Sequence, residues 1–62
     1  MNDFLRNEVK LLKALQGISY KEIAELLEVR QDSVYNWLCG YYDFSIEKQK
    51  RLQDIIETLK EF

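Results

Sequence analysis

The sequence has no histidine, no proline, one cysteine (Cys39) and only two glycines, Gly17 and Gly40. Lacking histidine, it lacks the commonest general base, and a lone thiol cannot complete a standard zinc site. A single cysteine also excludes a disulfide scaffold and suits a reducing compartment. Without proline, and with glycine this rare, the chain is free to be mostly helical. No apolar run approaches the ~18 residues of a membrane span, and no signal-peptide core is visible. The expected location is the cytoplasm. An excess of positive charge is missing too. Nine basic residues face eleven acidic ones, for a net charge of −2. Nucleic-acid binders are usually basic, so any such role here must rest on local geometry.

What is present is the composition of one small globular domain: 62 residues, 47% hydrophobic and 32% charged. A chain this short buries only ~60% of its unfolded surface, so its stability is marginal and dimerisation would add to it.

The glycines punctuate a helical pattern. Leu5, Val9 and Leu12 follow i, i+4, i+7 spacing, with Phe4, Leu11 and Leu15 widening the stripe. A helix is expected over about 3–16, capped by Asn2 or Asp3 and ended by Gly17 in a positive-φ position. Ile18 is placed to close over its last turn. Ser19 and Glu22 form a capping box for a short helix over about 20–27, with Ile23, Ala24 and Leu27 inward. Glu28-Val29-Arg30 reads as a tight turn. A third helix, about 31–39, turns Val34, Trp37 and Leu38 inward and ends at Gly40. Residues 41–44 read as a loop. Ser45 caps a fourth helix, about 46–60, with Leu52, Ile55, Ile56 and Leu59 on one stripe. No strand alternation appears. The fold class expected is all-α, a bundle of four to five short helices.

The segment from Tyr20 to Cys39 carries the one specific signal. Two short helices joined by a three-residue turn cross steeply when a small residue, here Ala24, lies at their contact. Ala24, Val29, Val34 and Trp37 stand where such a unit needs its apolar contacts. With the run Val34-Tyr35-Asn36-Trp37-Leu38-Cys39-Gly40, this segment resembles the helix-turn-helix of the Cro/repressor family, the Xre-like regulators of phages and bacteria. The flanking helices complete a lambda repressor-like domain, so the resemblance covers essentially the whole chain. Two positions depart from the family pattern. Glu28 replaces a turn glycine, which costs roughly 1 kcal/mol if φ is positive. Arg30 replaces the Ser or Thr that caps the recognition helix.

The resemblance implies a sequence-specific DNA-binding regulator whose third helix enters the major groove. Base contacts fall to Arg30, Gln31, Asp32, Ser33 and Asn36. Gln31 and Asn36 have the amide geometry for adenine, and Asp32 can accept from cytosine N4. Backbone contacts fall to Tyr20, Lys21, Tyr35, Tyr41, Tyr42 and Lys48. Relatives commonly dimerise through the C-terminal region, which here means Leu52, Ile55, Ile56, Leu59 and Phe62. The implied partner is a palindromic duplex in a bacterial cell or phage-infected host, bound by a homodimer. No cofactor, metal or small molecule is implied. Cys39 reads as a packing residue, and without histidine an enzyme is not expected. The alternative is a protein-binding module on the same fold, such as a small phage protein acting on a host factor or another repressor. Lys21 and Arg30 stand against Glu22, Glu25, Glu28 and Asp32 in the motif segment, and this acidity favours that alternative.

Overall fold

A computed structural model of the chain describes residues 1–61. Phe62, expected at a dimer face, lies outside them. Four helices follow in order: α1 (Asn2–Gln16), α2 (Tyr20–Leu27), α3 (Gln31–Leu38) and α4 (Ile46–Lys60). There is no strand among the described residues, and no helix is long and apolar enough to cross a membrane. α1 packs along α4, while α2 packs on both α3 and α4.

Local signals set the boundaries. Gly17 ends α1 at φ 70°, and its N–H donates to the Lys13 carbonyl. The Ser19 hydroxyl accepts from the Glu22 N–H to start α2, and Ser45 does the same for the Lys48 N–H at the start of α4. Glu28 ends α2 at φ 62°, the left-handed conformation that a glycine would adopt more cheaply. Arg30 begins α3 with no side-chain cap.

One core joins all four helices. Leu5, Val9 and Leu12 of α1 meet Ile23, Ala24 and Leu27 of α2, Val34, Trp37 and Leu38 of α3, and Leu52 and Ile56 of α4. Phe44 enters this core from the loop before α4, and its ring stacks on Trp37 with centroids 4.5 Å apart. Ile18, Tyr20, Val29, Ile55 and Leu59 pack around the edge.

Four expectations are corrected. Asn2 does not cap α1. It is the first helical residue, Met1 stands at the cap, and the Asn2 side chain reaches α3 and the loop instead. Phe4, Leu11 and Leu15 do not widen the core stripe but lie on the surface, because neighbouring helices cover only one side of α1. Leu52 and Ile56 are 0% and 3% exposed, so they have no surface to give a second copy. They pack inside the single chain, and only Ile55 and Leu59 of that stripe stay half-exposed. Finally, α3 closes at Leu38, one residue short of the expected end.

Candidate nucleic-acid interface

α3 is amphipathic, and its two sides have separate duties. Val34, Trp37 and Leu38 anchor it in the core. At 3.6 residues per turn, Asp32 and Asn36 then fall one turn apart in the middle of the outer side. Tyr35 lies beside them, and Gln31 and Ser33 stand at the edges. Arg30, Gln31, Asp32, Tyr35 and Asn36 are all exposed, and Ser33 is half-buried. The expected base-reading set is thus brought together on one short helix, with an acidic residue near its centre.

The ends of α3 are held from elsewhere in the chain. Arg6 of α1 donates from Nε to the Trp37 carbonyl at 2.6 Å, tying down the last turn of α3. Its Nη2 donates to the Tyr42 carbonyl at 2.8 Å and to Asp43 Oδ1 at 2.9 Å, while Nη1 bonds Asp3 at 2.8 Å. Only 11% of this side chain is exposed. The hydrogen bond to Asp43 pushes the guanidinium pKa up, desolvation opposes this, and the bond to Asp3 adds to the rise. The cation also lies over the Trp37 ring, 5.2 Å from its centroid.

A second clamp fixes the loop. Asn2 Oδ1 accepts from Trp37 Nε1 at 2.9 Å and from the Phe44 N–H at 3.1 Å. The buried Gln49 amide donates to the Phe44 carbonyl at 2.9 Å. Both backbone groups of Phe44 are therefore satisfied by side chains, which a buried loop residue requires. Tyr42 packs edge-on against Phe44 and donates its hydroxyl proton to the Ser33 carbonyl at 2.6 Å. The loop is thereby pinned to the first turn of α3, with Tyr41 projecting 77% exposed beside it. Nothing in the sequence pattern assigns these clamping roles to Asn2, Arg6 or Phe44, because their clamps join segments far apart in the chain.

The α2 end of the surface carries positive charge. Lys13 Nζ sits 4.1 Å from the Tyr20 ring centroid, and Lys21 is exposed in the first turn of α2. The positive end of the α2 dipole lies at the same turn, where the Glu22 N–H is already taken by the Ser19 hydroxyl. Two other cations are committed to carboxylates. Arg51 pairs with Glu28 at 3.0 Å, and Lys60 with Glu8 at 2.7 Å. Lys48 lines a notch with Leu27, Glu28, Ser45, Glu47 and Arg51, so its surroundings join α2 to α4 and hold none of the α3 outer residues.

No family model, no curated protein and no solved structure matches this chain.

Proposed function

We propose that the protein is a sequence-specific DNA-binding transcriptional regulator of the Cro/repressor type. The observation that supports this most is α3 itself. It is short, anchored on one side, clamped at its C-terminal end by Arg6, and presents Gln31, Asp32 and Asn36 outward. Hydrogen-bonding side chains on an exposed helix of this size suit a major groove about 12 Å wide. Lys13, Lys21 and Arg30 flank it as phosphate contacts, with Tyr20, Tyr35, Tyr41 and Tyr42 as neutral hydrogen-bonding partners for the backbone. Occupying an operator would block or recruit polymerase sterically, with no catalytic step.

The molecule measures 29 × 20 × 19 Å. One copy therefore covers a single half-site, since half-sites repeat every ~34 Å. Three phosphate-facing cations give weak binding, and a homodimer on a palindrome recovers affinity by linking two such contacts. The groove between α2 and α4, lined by Leu26, Ile55 and Leu59, is the C-terminal surface left for that pairing.

Fluorescence-anisotropy titration against random duplex DNA at several salt concentrations tests the reading. Three neutralised phosphates give a slope of log K on log salt near about −3 per copy. A salt-independent or undetectable interaction overturns it. The second reading, a protein-binding module, draws support from the acidic balance of the α2–α3 segment and from the exposed Tyr35, Tyr41 and Tyr42. Exposed tyrosines are enriched in protein-recognition sites.

A further inference from the structure

Tyr42 is held at three points. Arg6 Nη2 donates to its carbonyl at 2.8 Å, its ring packs edge-on against Phe44 with centroids 5.9 Å apart, and its hydroxyl donates to the Ser33 carbonyl at 2.6 Å. Phe44 is itself stacked on Trp37, which is fully buried. Tyr42 therefore braces α3 lengthwise, from the last turn, through Phe44 and Trp37, to Ser33 in the first. A tyrosine side chain has only two torsions, and these ties fix both. The Ser33 carbonyl can take the hydroxyl without breaking the helix, because a carbonyl oxygen has a second lone pair.

Helical geometry shows which edge of α3 the brace occupies. At 3.6 residues per turn, Ser33 stands about 40° around the axis from Trp37, and Asn36 about 60° beyond Ser33. Gln31 stands on the far edge, about 160° from Ser33. Burial follows the same division. Gln31, Asp32, Tyr35 and Asn36 are exposed, whereas Ser33 is half-buried.

We infer that Tyr42 is a positioning residue for the α3 surface. It walls off the Ser33 edge, fixes the first turn of the helix against the loop, and leaves Gln31, Asp32 and Asn36 as the face a ligand meets. The shielding of Ser33 is a property of the free protein. The effect on what α3 recognises rests on the DNA-binding reading, which it narrows at two points. While the bond to Ser33 stands, the one hydroxyl proton of Tyr42 is spent, and a phosphate oxygen, which needs a donor, receives none from it. Ser33, behind the ring, leaves the base-reading set. Tyr42 then serves specificity more than affinity: base-edge bonds depend on how the helix is placed, whereas contacts to the phosphates carry no sequence information.

Thiol labelling tests the wall without DNA. Cys39→Ser gives a thiol-free background, since Cys39 is the only cysteine. In it, Ser33→Cys and Asn36→Cys are labelled with a maleimide, with and without Tyr42→Ala, and far-UV circular dichroism checks the fold. Removing the ring is expected to speed labelling about fivefold at position 33 and less than about twofold at position 36, because thiol reactivity follows exposure. Equal acceleration at both positions, or none at position 33, overturns the proposal. Should Tyr42→Ala lose its fold, Tyr42→Phe takes its place, with roughly twofold acceleration expected at position 33 only, and none overturning the proposal. Tyr42→Phe also tests the positioning role, because it keeps the ring and removes only the hydroxyl. On an operator selected by the wild type it is expected to lower affinity about three- to tenfold, the reach of one such hydrogen bond, and to change random-duplex binding less than about twofold. Equal losses on both duplexes make Tyr42 a phosphate contact and overturn its positioning role, as does no loss on either. A wild type that binds no duplex overturns the DNA reading, and the labelling result then decides the wall.

Discussion

The Arg6 side chain on the first helix completes the end of the third: its Nε donates to the Trp37 carbonyl at 2.6 Å. The same guanidinium holds Asp3, Asp43 and the Tyr42 carbonyl. One nearly buried cation therefore links α1, α3 and the loop between α3 and α4. Replacing it by methionine keeps the aliphatic stem but removes every one of these bonds. Both carboxylates are largely exposed, so the expected loss of about 1–2 kcal/mol comes mainly from the bonds to the Trp37 and Tyr42 carbonyls. In a domain this small that lowers Tm by roughly 5–10 °C. Arg6→Lys is expected to recover less than half, because an ammonium cannot span the same fork of acceptors. Urea denaturation of the three proteins gives the ordering. Equal stability of Arg6→Met and wild type would remove Arg6 from this role.

Asn2 gives a sharper test of the second clamp, because small changes to its side chain separate acceptance from bulk. Its Oδ1 accepts from Trp37 Nε1 and from the Phe44 N–H. Asn2→Ala orphans two partly buried donors and is expected to cost about 2 kcal/mol. Asn2→Asp retains an acceptor oxygen and is expected to lose much less. Tryptophan fluorescence during denaturation reports both, since Trp37 is the only tryptophan. If the two variants are equally destabilised, acceptance by Oδ1 is not what holds the loop.

These two clamps mark the boundary of what is legible in the sequence. Ser19, Gly17, Glu28 and Ser45 act within a few residues of themselves, so their effects on helix ends are readable from neighbours alone. The inward residues of α2 and α3 follow from helical spacing. Asn2 is different: a short polar residue before an apolar stripe looks like a local cap, whereas its acceptor serves Trp37 and Phe44 far along the chain. Phe44 has no periodic companions, so nothing distinguishes a core aromatic from a loop aromatic. On α1 and α4 the stripes are broader than the surface their neighbours cover. Which leucines stay outside depends on packing angles that no spacing encodes. At the candidate site, the grouping of Gln31, Asp32 and Asn36 is legible from helical geometry, but the pinning of Tyr42 to Ser33 is not.

Left-handed positions predict opposite signs for two glycine exchanges. Gly17 has φ 70°, and no atom lies within 4 Å of the point where a Cβ would stand, so Gly17→Ala meets no clash but adopts an unfavourable φ. The expected cost is about 1 kcal/mol. Glu28 already carries that strain at φ 62° and gains an exposed ion pair with Arg51 at 3.0 Å. Such surface pairs contribute roughly 0.2–1 kcal/mol, and this one, with both partners more than half exposed, lies toward the low end. Relief of strain outweighs that loss and part of the added chain entropy, so Glu28→Gly is expected to stabilise by about 0.5 kcal/mol. Thermal unfolding of both variants checks the pair of signs. A destabilised Glu28→Gly would mean that the ion pair or the entropy term is the larger.

Asp32 separates the two functional readings. It lies mid-way across the outer side of α3, where a duplex would bring phosphates close. Asp32→Asn removes one negative charge while keeping the shape and an acceptor oxygen. On the DNA reading, binding to random duplex is expected to strengthen several-fold at low salt, with the gain shrinking as salt screens it. On a selected operator the variant is expected to discriminate less well at any cytosine that Asp32 accepts from, while Gln31→Ala costs about 1–3 kcal/mol at its own base pair. Lys21→Ala is expected to weaken all sequences alike and to reduce the salt slope by about one. On the protein-partner reading, Asp32→Asn leaves duplex binding undetectable at every salt concentration. Because duplex binding strengthens on the first reading and stays undetectable on the second, the outcome is decisive even before an operator is known.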